Sequence, residues 1–368
     1  MHRSPLLAPI VLLLAGCGGA DAPTPAPSPD AAAAAASEPR AAVAAQPDAD
    51  TGTRPQPTEI QTFRDWTVAC DNGLACRAVA LAPEDEIEPA MTLALDRAAG
   101  PDAAPTLRFA VYSRRPTPLT VAVDGTPLAK GGTAGDGGAV TFAGADATRI
   151  AAALGSGRKL TVADSTGAQL GHASLSGAAA ALRWIDAQQH RDGTTGALFA
   201  RGDKPDAATA PALPVIRAAP LGGEAALLDP ARVATMKAKA HCQDNPAFDQ
   251  PHTASLGNGT LALLPCQAGA YNLMLAAFVV RDGTHTPARF DAPSGMSEEG
   301  AAVQNVVDGS FENGVLTSFA RGRGLGDCGI QQEFVWDGTR FRLSRQEEMR
   351  ECRGSKVYLP TWRARVVR

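Results

Sequence analysis

Apolar and polar positions alternate in short runs along most of the chain, the period of a half-buried strand. In Trp66-Thr67-Val68-Ala69-Cys70 and Cys76-Arg77-Ala78-Val79-Ala80, the parity of Trp66, Val68 and Cys70 continues through Cys76, Ala78 and Ala80. Asp71-Asn72-Gly73 supplies turn chemistry between them, so the pattern predicts a hairpin with both cysteines on one face. Strand-like runs follow at 106–113, at 118–125, where Leu119, Val121 and Val123 alternate strictly, and at 138–144. A pair at 159–165 and 168–174 brackets a Ser-Thr-Gly turn. Two segments change to the helical period. One is 147–154, with Asp146 as its cap and Gly155 as its stop; in the other, 175–193, Leu175, Leu182, Ile185 and Gln189 form one stripe and Gly193 ends it. The loop at 130–138, KGGTAGDGG, reads as flexible.

From 194 to 227 the composition shifts to Ala, Pro and Gly, a connector. Asp229-Pro230 then starts a helix with Val233 and Met236 on one side. Strand-like runs at 258–266, 270–280, 301–307, 314–320, 329–336 and 340–345 are separated by Asn258-Gly259, Asp282-Gly283, Asp308-Gly309, Asn313-Gly314 and Asp337-Gly338. Such dipeptides predict a meander of hairpins. The fold class expected is α+β to mostly β: antiparallel sheets in two disulfide-containing domains, an α+β domain at 59–193 and a mostly β domain at 228–368, after a disordered tether.

The N-terminus carries a different pattern. His2 and Arg3 precede an apolar run from Leu6 to Ala15, shorter than the about 20 residues that span a bilayer. This reads as an export signal. Its end, Leu14-Ala15-Gly16-Cys17, resembles the lipobox of bacterial lipoproteins, which implies cleavage after a 1–16 signal peptide and acylation of Cys17, palmitate included. Residues 17–58 hold almost no large apolar side chain and read as a lipidated, disordered Ala/Pro-rich tether. Its roughly 41 residues after Cys17 reach on the order of 100 Å. Removing residues 1–16 leaves 352, and losing Arg3 from 34 basic residues against 38 acidic ones moves the formal charge from -4 to -5. So mild an acidity implies no nucleic-acid partner.

The six other cysteines fit an oxidising compartment. Cys70 and Cys76 face each other across the first hairpin, and a reactive dithiol would want Cys-x-x-Cys spacing instead. Cys328 and Cys352 flank the Asp337-Gly338 turn and meet if a bulge absorbs the offset; Cys242 and Cys266 remain. Six cysteines allow many connectivities, of which sequential pairing respects the domain boundary.

The stretch FRDWTVACDNGLACRA, with GRGLGDCG, FVWDGTRFRL and ECRG far downstream, resembles domain-of-unknown-function family 1176, exported proteins of Gram-negative bacteria, from about Gln61 to Arg368. Through its Trp-x-Val-x-Cys opening and SLSGAAAALRWID, the first domain more distantly resembles invasion-associated locus B proteins. Neither resemblance implies a catalytic residue. Gly324-Leu325-Gly326-Asp327-Cys328-Gly329 has the letters of a dinucleotide fingerprint, but a strand is expected after it where a helix is needed. His172, His190, His252 and His285 lack metal-ligand spacing, and no cofactor or metal is expected. Two surface features offer binding chemistry. Arg321 and Arg323, spread among glycines, suit a carboxylate or phosphate, and Trp336 suits a sugar. The expectation is therefore a non-enzymatic binding or accessory lipoprotein of the cell envelope. It is held at the membrane by its lipid, probing an envelope protein or glycan at the outer membrane facing the periplasm or the outside. The alternatives are an envelope hydrolase of a glycan or peptide and an inhibitor of an envelope enzyme.

Overall fold

The computed structural model describes residue 52 and residues 54–84, 86, 89–112, 118–135, 138–243 and 250–368. The signal segment, Cys17 and the tether up to residue 51 lie outside the described residues.

Among the described residues, the first half forms β1 (Gln61–Phe63), β2 (Trp66–Cys70), β3 (Cys76–Ala80), β4 (Met91–Arg97), β5 (Thr106–Val111), β6 (Leu119–Val123), β7 (Thr126–Gly131), β8 (Thr133–Ala134) and β9 (Ala139–Phe142), then α1 (Gly144–Leu154), β10 (Lys159–Ala163), β11 (Gln169–Ser174) and α2 (Ala178–Gln188). Antiparallel pairing arranges these strands as β1-β2-β3-β4-β5-β9-β8 and β11-β10-β6-β7. The first hairpin has the expected register, Trp66 opposite Ala80 and Cys70 opposite Cys76. Trp66, Leu93, Phe109, Val121 and Leu160 share one core with Leu182 and Ile185 of α2.

Three local expectations change. Asp146 does not cap α1: the cap position is Ala143, and Asp146 sits in the first turn, paired with Arg149. Helix α2 is shorter than its stripe, because Gly177 at φ +96° sets its start and His190 at φ +56° turns the chain before Gly193. The segment read as a flexible loop contributes Lys130 and Gly131 to β7 and Thr133 and Ala134 to β8.

The second half comprises, again among the described residues, β12 (Val215–Arg217), α3 (Pro230–Lys239), β13 (His252–Ser255), β14 (Thr260–Ala268), β15 (Leu273–Arg281), β16 (Thr284–Pro287), β17 (Asn305–Val307), β18 (Phe311–Glu312), β19 (Val315–Arg321), β20 (Gly329–Trp336), β21 (Phe341–Met349), β22 (Leu359–Arg363) and β23 (Arg365–Val367). Its two larger sheets run β13-β14-β15-β16, with β17 also on β15, and β18-β19-β20-β21-β22. The Asp282-Gly283 and Asn313-Gly314 turns have both residues at positive φ, as tight hairpins require. Asp229 accepts the Arg232 amide at 2.8 Å and Pro230 follows, so α3 starts where the sequence places it. Leu263, Leu275, Phe334, Trp336, Phe341 and Trp362 belong to one core between the sheets. The β20–β21 register shifts between Glu333 and Phe334, a bulge on the path between Cys328 and Cys352. Disulfides join Cys70 to Cys76, Cys242 to Cys266 and Cys328 to Cys352.

A further core joins the halves: Ala69, Val79, Leu81 and Ala94 from the first pack with Cys328, Met349, Tyr358 and Leu359 from the second. On this face the small Ala69 of β2 admits the close approach of β22, which also lies against β3. The segment from 194 to 227 is tied down as well, since β12 pairs in parallel with β23. At the chain's entry Pro55 is buried and the Thr58 amide donates to the Thr361 carbonyl at 2.9 Å, so residues 54–58, tether by composition, lie against the fold.

Candidate docking site

The glycine-rich loop at 322–328 connects β19 to β20. Arg321, at the end of β19, and Arg323, within the loop, are both engaged internally. Arg321 Nη1 donates to the Tyr271 carbonyl at 2.8 Å and forms an ion pair with Asp308, and its guanidinium carbon lies 4.8 Å from the centre of the Phe319 ring. Arg323 Nε donates to Asp327 Oδ1 at 2.7 Å, and its Nη2 bonds the other carboxylate oxygen. Asp327 is only 1 % exposed and also accepts the Gly354 amide at 2.7 Å. Burial alone would raise the Asp327 carboxyl; the bonds from Arg323 and Gly354 outweigh it and hold it below the usual carboxylate range. Burial, seconded by the Asp327 charge, pushes the Tyr358 phenol well up, so it stays a donor, to the Gly326 carbonyl at 3.2 Å. At Gly329 φ is +139° and a Cβ would stand 2.1 Å from the Ala320 carbonyl oxygen, so only glycine closes the loop against β19.

These contacts correct the reading of Arg321 and Arg323 as an open anion fork. Nη1 of Arg321 is committed to Asp308 and the Tyr271 carbonyl and Nε and Nη2 of Arg323 to Asp327, and the loop is a clasp locked by the Cys328–Cys352 bond. The dinucleotide reading also fails on geometry, because strand β20 follows the glycines. Trp336, expected as a sugar platform, is 2 % exposed with its ring 5.0 Å from that of Phe341, so it is a core side chain that lines a cavity with Ala219, Pro220 and Leu221 rather than an exposed stacking surface.

What the clasp presents instead is apolar. Leu325 at its tip is 37 % exposed, Tyr271 is 42 % and Met296 62 %. They come from three loops that meet. A Cβ placed on Gly324 lies 3.8 Å from the Tyr271 ring, and Asn272 Nδ2 donates to the Arg321 carbonyl at 3.0 Å while standing 3.9 Å from Met296 Sδ. The Met296 loop is fixed from below, its Gly295 amide donating to Gln332 Oε1 at 2.7 Å. Sequence reasoning passed over these three residues. Their common signal is a large apolar side chain stranded among Gly, Ser and Asn, in GAYN, SGMS and RGLG. Among the described residues no three of His, Cys, Asp and Glu gather as a metal site requires, and no helix is long and apolar enough to cross a membrane.

The profile of the family described as Protein of unknown function (DUF1176) matches residues 60–367. Uncharacterized protein YpfG of Escherichia coli (strain K12) is 30% identical over 320 residues, covering 79% of this chain and 88% of that protein. The crystal structure of invasion associated protein b from Bartonella henselae aligns with 36% of this chain and 99% of its own, at 19% identity and a TM-score of 0.29.

Proposed function

Since the chain belongs to the family of unknown function DUF1176, which names no activity, we propose from its own surface that it is a non-enzymatic accessory module of the cell envelope that docks a partner protein through Tyr271, Met296 and Leu325. The observation that carries this reading is that three large exposed side chains, Tyr271, Met296 and Leu325, stand on loops linked to one another through Asn272, whose amide bonds the Arg321 carbonyl and lies 3.9 Å from Met296 Sδ. Exposed apolar groups gathered on neighbouring loops mark interaction sites more often than scattered ones do. A fixed backbone lowers the ordering cost of association. Arg321 and Arg323 at the rim of the patch are matched by Asp308 and Asp327, so the fitting partner presents an apolar pocket without a charged border.

The anchor belongs to the same proposal: Cys17 carries lipid, and the tether lets the module work away from an outer-membrane surface. Full-length protein with a photo-crosslinking residue at position 325, compared with one at the fully exposed Leu227, tests the docking. A single discrete protein adduct is expected at 325 and not at 227, lost when Tyr271→Ala and Met296→Ala are added. Equal adducts at both positions, or an adduct indifferent to those substitutions, would remove the patch from the account. Incorporation of labelled palmitate by the parent chain and not by a Cys17→Ser variant tests the anchor.

A further inference from the structure

The cavity beside Trp336 contains a group that the fold leaves without a partner. Trp66, Trp336 and Trp362 are all buried. Trp66 Nε1 donates to the Ser174 carbonyl at 2.9 Å and Trp362 Nε1 to the Leu343 carbonyl at 3.0 Å. Trp336 Nε1 is just as closed off from bulk solvent, yet among the described residues it has no hydrogen-bond partner. A buried indole N–H normally finds an acceptor, and a donor left unmet is costly. The Trp336 ring packs on Phe341 and borders a cavity of about 370 Å³, within the roughly 300–1,000 Å³ range of small-molecule sites. Ala219, Pro220 and Leu221 give it an apolar wall, and Gly314 and Arg368 complete it. Leu221 is 41 % exposed and Arg368 is exposed, so these two mark the mouth. They stand close together there: a Cβ on Gly314 would lie 2.9 Å from Leu221 Cδ1 and 3.8 Å from Arg368 Nη2.

We infer that this cavity binds an aliphatic monocarboxylate, its chain against the apolar wall and its oxygens taken by the Trp336 N–H and the Arg368 guanidinium. Of the side chains that line the cavity only Trp336 and Arg368 carry polar atoms, and all of those atoms are donors. The fitting guest is therefore an acceptor. Arg368 Nη2 already donates to the Asn313 carbonyl at 2.8 Å, a neutral partner that holds the guanidinium at the mouth without cancelling its charge, and the group has further N–H donors to give. Asp337, next to Trp336 in the chain, has its carboxylate committed to Thr339 and the Arg340 amide at 2.8 Å and lies 3.6 Å from Arg342. A cation at the mouth selects a carboxylate over a neutral carbonyl, because a charge-assisted bond is the stronger one. The apolar wall selects an aliphatic body, which gains by leaving water, over a polyol, which would lose its hydration there.

The test is titration of the full chain with decanoate, followed through the indole N–H signals in heteronuclear magnetic resonance spectra, with the Trp336 signal assigned by its loss in Trp336→Phe. Decanoate is expected to move the Trp336 signal saturably downfield, as a new hydrogen bond does, while the Trp66 and Trp362 signals, already bonded to carbonyls, stay in place. Arg368→Gln, at an exposed site that leaves the fold intact, is expected to raise the decanoate concentration needed about tenfold, the loss of one charged partner. Decanol, which has the same chain and no carboxylate, is expected to need a similarly higher concentration. A Trp336 signal that decanoate does not move, one that moves only together with those of Trp66 and Trp362, one that decanol moves equally well, or an Arg368→Gln titration matching the parent would overturn the inference.

Discussion

The pair Arg323–Asp327 shows how a residue chosen for recognition turns out to serve the fold. Asp327 is buried and needs its partner, whereas Arg323 is half exposed. Arg323→Ala strands a buried carboxylate, and the exposed side of the pair discounts the usual penalty to about 1–3 kcal/mol. Adding Asp327→Asn removes the stranded charge and is expected to restore part of the loss; urea melts of the single and double variants check it. If Arg323→Ala melts like the parent, the clasp is not held by this pair. The same group sets a pH dependence. Asp327, Asp65 and Asp337 each feel burial first, which would raise them, but hydrogen bonds from Arg323, from Arg353, and from the Arg340 amide and Thr339 win, and all three lie below 3.8. A carboxyl depressed on folding adds stability above its unfolded pKa and gives it up as pH falls through the folded value. Stability is thus expected to be complete above about pH 5 and to drop below 3.8, with the drop smaller in Asp327→Asn; a parent protein that loses stability already on going from neutral pH to pH 5 would contradict this.

At the scale of elements, strands and turns were legible because each carries its own signal: alternation inside, Asn-Gly or Asp-Gly at the ends. What escaped was set by contacts distant in sequence. The β4 run Met91-Thr92-Leu93-Ala94-Leu95 is apolar or small on both parities because both of its faces are covered, and alternation cannot announce that. Lys130 to Ala134 join strands only because a neighbouring strand is there to pair. Helix α3 is the opposite case, readable from Asp229-Pro230 yet weakly packed, with Met236 its one fully buried residue. Its C-terminal end is where it is held. The Cys242 amide donates to the Lys237 carbonyl at 3.0 Å, and the disulfide fastens that end to Cys266 of β14. Replacing both cysteines by serine frees a loop of 24 residues, an entropic change of about 3 kcal/mol. Amide exchange in 230–239 is expected to accelerate while β20 and β21 keep their protection. Unchanged exchange in α3 would mean that its apolar contacts suffice without the bond.

For the whole molecule, composition divides the chain at 194–227, while the contacts cross that division at many points. Arg77 reaches Glu347 and the Tyr358 carbonyl at 2.6 Å, Arg353 reaches Asp65 at 2.7 Å, and Arg363 reaches Asp71 at 3.0 Å. Beneath them lies the shared core of Val79, Leu81, Tyr358 and Leu359. Each arginine looks in sequence like one more solvated charge, and Ala69 or Ala94 like a filler, so the seam has no local signature. Its energetics are nonetheless decisive, because a buried leucine contributes about 1.5–3 kcal/mol and neither half can cover this face alone. The halves should therefore melt together. Calorimetry of the full chain is expected to give one transition, with near-ultraviolet signals from both halves following the same curve. Leu359→Ala, at the seam, is expected to cost about 2–5 kcal/mol and to shift that single transition as a whole. If Leu359→Ala instead splits the melt in two, or the parent already shows two transitions, the halves are separately folding domains.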